Sequence, residues 1–143
     1  MSAALVLDTH VLVWLVQGDS RLHAEIVCQI DEFARQTRVL VPAISLWEIG
    51  MLVAKGRLQL AQDVQQWVDA VLGLPGLGLA ALEPAIAVAS SRLPGALHGD
   101  PADRMIAATA RHHDALLVTA DEKLLAYGAA GHLKVMDARG GPG

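Results

Sequence analysis

Short apolar runs and longer stretches of helical spacing alternate along this 143-residue chain. The first run, residues 3–7, has no polar alternation, as expected of a β-strand buried on both faces. Residues 39–41, 77–82 and 115–118 repeat that pattern, and residues 134–136 offer a further short edge strand. Between them, apolar positions recur at helical spacing over residues 10–17, 24–35, 44–55, 61–72, 84–91 and 101–113. A last short helix is expected over residues 121–127. Such alternation predicts an α/β fold: a central, mostly parallel sheet of four to five strands flanked by helices in three layers. Ligands of these sheets collect beyond the carboxyl ends of the strands.

Composition sharpens this picture. Hydrophobic residues make up 53% and aromatic residues only 3%, so Ala, Leu and Val must fill the core. The most apolar stretch, residues 70–82, is interrupted by Gly73, Pro75, Gly76 and Gly78 and is too short to cross a bilayer. With no basic region ahead of the first apolar run and a lone Cys28, the expectation is a cytoplasmic protein without a membrane span. A net charge of −4 argues against broad electrostatic binding of nucleic acid. Any such binding would be local and assisted by metal or a partner.

The acids themselves are placed unevenly. Asp8 and Asp121 follow the first and fourth strands, Glu48 lies near the start of the helix after Pro42, and Asp100 and Asp103 open the helix over 101–113. Capping accounts for several of them singly. Ser45-Leu46-Trp47-Glu48 and Thr119-Ala120-Asp121-Glu122 fit capping boxes, and Asp100-Pro101-Ala102-Asp103 reads as an N-cap, a proline at N1 and an acid at N3. Capping does not explain why all five converge on one sheet edge. Carboxylates about 4–5 Å apart repel by roughly 3–4 kcal/mol per pair at an effective dielectric of ~20, so such a site must protonate or bind a cation. A hard ion such as Mg²⁺, with Mn²⁺ able to substitute, suits oxygen ligands and phosphate chemistry.

At these residues the chain resembles the PIN-domain family, and within it toxins of the VapC type from type II toxin–antitoxin pairs. The resemblance is carried by Leu7-Asp8-Thr9-His10-Val11-Leu12-Val13-Trp14, Ile44-Ser45-Leu46-Trp47-Glu48-Ile49 and Lys55-Gly56-Arg57-Leu58. It continues through His98-Gly99-Asp100-Pro101-Ala102-Asp103-Arg104-Met105-Ile106-Ala107-Ala108-Thr109-Ala110 and Leu117-Val118-Thr119-Ala120-Asp121-Glu122-Lys123. Residues 1–139 then read as one PIN-like nuclease domain and 140–143 as a flexible Gly/Pro tail. The resemblance implies a Mg²⁺-dependent endoribonuclease, usually a homodimer, that cleaves RNA by metal-activated water and is inhibited by a VapB-like antitoxin. It implies Asp8 and Asp103 as metal ligands, with Glu48 and Asp121 completing the catalytic set. Ala102 departs from the Phe often found there, which leaves the acids in place.

Accessory roles remain open between function and local structure. Thr9 and Thr119 can orient a carboxylate or cap a helix. Arg104 can pair with a site carboxylate, hold phosphate, or simply face solvent. Asp100 can touch metal or only cap, with capping favoured. Trp14, Trp47 and Trp67 are expected in the core, and His10 and His98 at the surface. His112 and His113, consecutive on a helix, are expected to point apart, and with one Cys and no spaced Cys/His set zinc is disfavoured. Two rival functions stand beside the nuclease. One is a silent PIN-like protein-binding module. The other is a Mg²⁺-dependent phosphoryl-transfer domain, disfavoured because Asp8 has no acidic neighbour and Lys123 follows its strand rather than ending it.

Overall fold

The uninterrupted apolar run near the start of the chain forms the middle of the sheet. The computed structural model describes residues 4–36, 38–97 and 99–140. Five strands lie among them: β1 (Leu5–Leu7), β2 (Val39–Pro42), β3 (Leu77–Ala80), β4 (Leu116–Thr119) and β5 (Val135–Asp137). Helices α1 (Thr9–Gln17), α2 (Ala24–Arg35), α3 (Ala43–Ala54), α4 (Val64–Leu72), α5 (Pro84–Ser90), α6 (Pro101–His112) and α7 (Glu122–Ala129) connect them. The strand order is β3-β2-β1-β4-β5 and every pairing is parallel, with Leu5 level with Val39 on one side and Leu116 on the other. The α/β expectation holds, and the edge strand expected over residues 134–136 is present one residue later, at Val135–Asp137.

Because successive strand residues face opposite ways, β1 feeds both layers of the core. Leu5 and Leu7 join Val11, Leu12, Ile26, Ile30, Ile49 and Trp67 on one face. Val6 joins Ile106, Ala107, Ala110, Leu117, Leu124 and Tyr127 on the other. Burying a side chain of this size contributes about 1.5–3 kcal/mol. The small residues Ala107 and Ala110, both inaccessible to solvent, let α6 pack close to the sheet.

Several expectations about helix starts need correction. Ser45 lies inside α3, whose N-cap position is Pro42, so no capping box exists there and Glu48 stands in the second turn. The helix expected from residue 61 begins at Val64, because Asp63 caps it by accepting from the N–H groups of Gln65 and Gln66. Thr119 is not the cap of α7 either. Asp121 is, accepting from Lys123 and Leu124 N–H. Trp67 is buried, but Trp47 is 55% exposed: it sits two residues from the inward-facing Ser45 and Ile49, on the opposite side of α3. Trp14 is half-buried, with the Arg21 guanidinium 5.0 Å above its ring. In the tail, Gly140 belongs to a turn with its N–H on Asp137 O, and residues 141–143 lie outside the described residues, as does His98. No helix among the described residues is long and apolar enough to cross a membrane.

A candidate acidic active site at the sheet switch point

The chain runs from β1 outward through β2 to β3, then crosses back to place β4 on the other side of β1. The crevice between β1 and β4, at their carboxyl ends, is therefore the topological switch point where ligands of open α/β sheets bind. Asp8 follows β1 there, and its N–H bonds to Val118 O of β4 at 3.1 Å. Thr119 ends β4 and donates its hydroxyl to Asp8 Oδ2 at 2.5 Å while accepting from Asp121 N–H at 3.0 Å. One threonine thus ties the first and last acids of the cluster together.

The remaining acids arrive on helices. Thr9, the first residue of α1, is fully buried and donates to Glu48 Oε1 of α3 at 2.6 Å. It therefore orients a carboxylate instead of capping α1. Asp100 caps α6 by accepting from Asp103 N–H at 3.0 Å, which settles its capping role, and Asp103 takes the N3 position behind Pro101. Asp8, Glu48, Asp100, Asp103 and Asp121 line a single cavity of about 310 Å³ together with His10, Trp14 and Ala120. All five expected carboxylates meet there. No Lys or Arg lines it among the described residues.

Arg104 does not join them. Its guanidinium donates to Ser90 O at 2.9 Å and Leu97 O at 2.7 Å, clasping the end of α5 and the loop before α6. Three residues that the sequence did not assign to the site do belong to it. His10 and Trp14 line its wall from the first and second turns of α1. Gly99 backs Asp103 so closely that a Cβ would stand 3.1 Å from Asp103 Oδ2. The spacing of His10 and Trp14 on one face of α1 was the available signal for the first two.

Crowding shows in the proton affinities. Asp103 is pushed up to about 7, first by desolvation and then by the charges of Asp100, Asp121, Asp8 and Glu48. Asp8, only 7% exposed, is also raised by burial. The Thr119 hydroxyl and the nearby His10 oppose that rise, while Glu48 and Asp121 add to it. A group of acids that raise one another's proton affinity, with no Lys or Arg among the described lining residues, is short of a cation. Oxygen donors alone line the mouth apart from His10, a donor set that fits a hard divalent ion.

Comparison with known proteins now decides the family. Residues 5–130 match the PIN domain family. The chain is a PIN-domain protein. Ribonuclease VapC22 of Mycobacterium tuberculosis is 33% identical over 126 residues, covering 86% of this chain and 91% of that protein. Among solved structures, the fold of this PIN domain is similar to VapBC2 from Rickettsia felis bound to a DNA fragment from its promoter, with a TM-score of 0.67 and 18% identity over 93% of this chain and 97% of that one. DNA-bound VapBC from Salmonella typhimurium is similar to the same degree, with a TM-score of 0.66 and 18% identity over 94% and 98%.

Proposed function

We propose that this PIN domain is a divalent-metal-dependent endoribonuclease of the VapC toxin type, acting on RNA at the Asp8–Glu48–Asp103–Asp121 pocket. The observation that carries the reading is the convergence of five carboxylates, uncompensated by Lys or Arg, at the switch point of the sheet. The 33% identity to a ribonuclease of known family favours RNA over other phosphodiesters.

Asp8 and Asp103 are assigned as the direct ligands of the ion, Mg²⁺ with Mn²⁺ as substitute, as the PIN-domain resemblance implies, and burial disfavours the charge of both. When bound, the ion neutralises this charge and supplies Lewis acidity for hydrolysis of the phosphodiester. Thr119 holds Asp8 and Thr9 holds Glu48, so both carboxylates are oriented before substrate arrives. Asp121 is fixed by its own capping bonds at the pocket edge. Asp100 adds negative charge beside Asp103 while its capping bond keeps that acid in place. Among the described residues, His10, at the exposed rim, is the one lining residue able to carry positive charge toward a phosphate.

A VapB-like antitoxin is the proposed inhibitor, a homodimer the proposed assembly, and the cytoplasm the proposed compartment. The antitoxin assignment is supported by fold likeness to proteins solved as VapBC complexes. The decisive experiment is RNA cleavage by the purified chain and by Asp8→Asn. Cleavage that stops in EDTA, returns with Mg²⁺ or Mn²⁺, and is lost in a folded Asp8→Asn protein is the expected result. A folded Asp8→Asn protein that still cleaves, or cleavage indifferent to EDTA, overturns the reading.

A further inference from the structure

We infer that Glu83, His112 and His113 form a second metal site, for a transition-metal ion of the Zn²⁺ class, at the opposite end of α6 from the acidic pocket. This inference does not rest on the nuclease reading. Each of the three residues offers a ligand atom within 4.8 Å of the other two. The expectation that adjacent histidines point apart fails here for a local reason. His112 is the last residue of α6 and His113 its C-cap, and the backbone then turns through Asp114 at φ 49°. The two rings consequently stand edge to face with centroids 5.1 Å apart. Glu83, the residue before α5, reaches them because α5 and α6 pack together.

Two details separate this group from an ordinary surface ion pair. His112 Nε2 and Glu83 Oε2 are 3.5 Å apart, too far for a good hydrogen bond. That separation is close to the ~3.4 Å between ligand atoms of a tetrahedral ion with bonds of about 2.1 Å. His113 Nε2 is also buried without a hydrogen-bond partner among the described residues, an unsatisfied donor or acceptor that a structure does not normally keep. Neighbouring charges are engaged elsewhere. Arg111 donates to His132 O, and Asp114 pairs with Lys134 at 2.7 Å. The final carbonyls of α6 favour a cation at this end. Two imidazoles and one carboxylate suit Zn²⁺, Co²⁺ or Ni²⁺ and leave a position for water, whereas the all-oxygen pocket suits Mg²⁺. Nine residues of helix, about 13 Å, separate His112 from Asp103 along α6.

The test uses the untagged, metal-free full chain, titrated with Co²⁺ and with Zn²⁺ in excess Mg²⁺ to saturate the acidic pocket. One equivalent should bind, with the visible absorption of nitrogen-ligated Co²⁺, and Zn²⁺ should displace it. His112→Ala, at an exposed position, should weaken binding at least about tenfold, and Glu83→Gln by less. Asp103→Asn should leave the uptake intact. Melting curves in chelator establish that each variant is folded, and His113→Gln is the milder second probe of the buried ring. Absence of uptake in the wild-type chain means a Glu83–His112 ion pair only and overturns the inference. Uptake indifferent to His112→Ala, or abolished by Asp103→Asn, overturns it equally.

Discussion

The two ends of α6 carry aspartates in opposite electrostatic states. Asp103, in the first turn, has its proton affinity pushed up to about 7. Asp114, just beyond the last turn, has its own lowered by Lys134. The helix macrodipole alone would order them the other way, since it favours anions at the N-terminus and disfavours them at the C-terminus. Its effect of about 0.3–1 kcal/mol is overruled at both ends, at Asp103 by desolvation and then by the neighbouring carboxylates, and at Asp114 by the hydrogen bond and charge of Lys134. At the C-terminal end an acid meets a base and structure is served. At the N-terminal end a half-buried acid meets other acids, and the fold carries an electrostatic cost. Asp19 and Asp137, lowered beside Arg21 and Arg139, follow the Asp114 pattern. Among the described residues, the acidic pocket departs from that pattern.

Removing one acid should break the contrast most visibly. Asp103→Asn is expected to reduce RNA cleavage by roughly 100-fold or more, the scale of losing one electrostatic element of an active site. The same change should raise the melting temperature of the metal-free protein at pH 8 by a few degrees, because it relieves repulsion from Asp8, Asp100 and Asp121. Mg²⁺ should then stabilise the variant less than the wild type. A metal-free Asp103→Asn protein that melts lower than wild type would remove the claim of uncompensated crowding.

The second expectation concerns pH. The folded chain binds the Asp103 proton more tightly than the unfolded chain, whose value is near 3.8. This contribution to stability is fully present below pH 3.8 and is lost as pH rises through about 7. Asp8 acts in the same direction. After discounting for solvent screening the loss should be ~1–2 kcal/mol. Asp19, lowered to about 2, has the reverse sign and acts only at more acid pH. Melts in EDTA from pH 4 to 8 should therefore show falling stability, and saturating Mg²⁺ should flatten or reverse the slope. A rising slope in EDTA contradicts the assignment.

How much of this was legible beforehand differs between backbone and site. The strands were readable because burial on both faces writes an unbroken apolar run, as in Leu5-Val6-Leu7. The acids were readable as types at strand and helix ends. What the acids do with their neighbours was not. Thr9 looks like a cap until its partner, 39 residues away, is in view, and Thr119 bonds to an acid 111 residues away. Local grammar assigned both to local bonds. Ser45-Leu46-Trp47-Glu48 misled for a related reason: the spacing of a capping box recurs inside helices, and α3 had already begun at Ala43. The His112–His113 pair was misjudged because helical geometry was extended one residue past the end of α6.

Thr9→Val tests the smaller element of that geometry. The valine keeps the shape of a fully buried side chain and removes only the hydroxyl that holds Glu48. A cost of about 0.5–1.5 kcal/mol is expected for the lost hydrogen bond. Cleavage should fall by an intermediate amount, about tenfold, since Glu48 remains but loses its orientation. Equal activity in the variant would mean that Glu48 is positioned by packing alone.

The smallest effect belongs to the other end of α6. Asp114→Asn keeps a residue tolerant of positive φ and removes only the charge facing Lys134. Both partners are exposed, so the pair is screened and worth little, and loss of an anion at a helix C-terminus partly offsets its removal. The melting temperature in chelator should fall by no more than about a degree or two. Cleavage in Mg²⁺ should stay within about twofold of wild type, as expected for a site too distant to couple with the pocket. The same Asp→Asn chemistry would then give a large functional loss with a gain in metal-free stability at one end of α6, and a slight stability loss with no functional change at the other. If Asp114→Asn instead weakened cleavage as Asp103→Asn does, the two ends would be coupled through the helix, and paired acids would have to be counted with the active site.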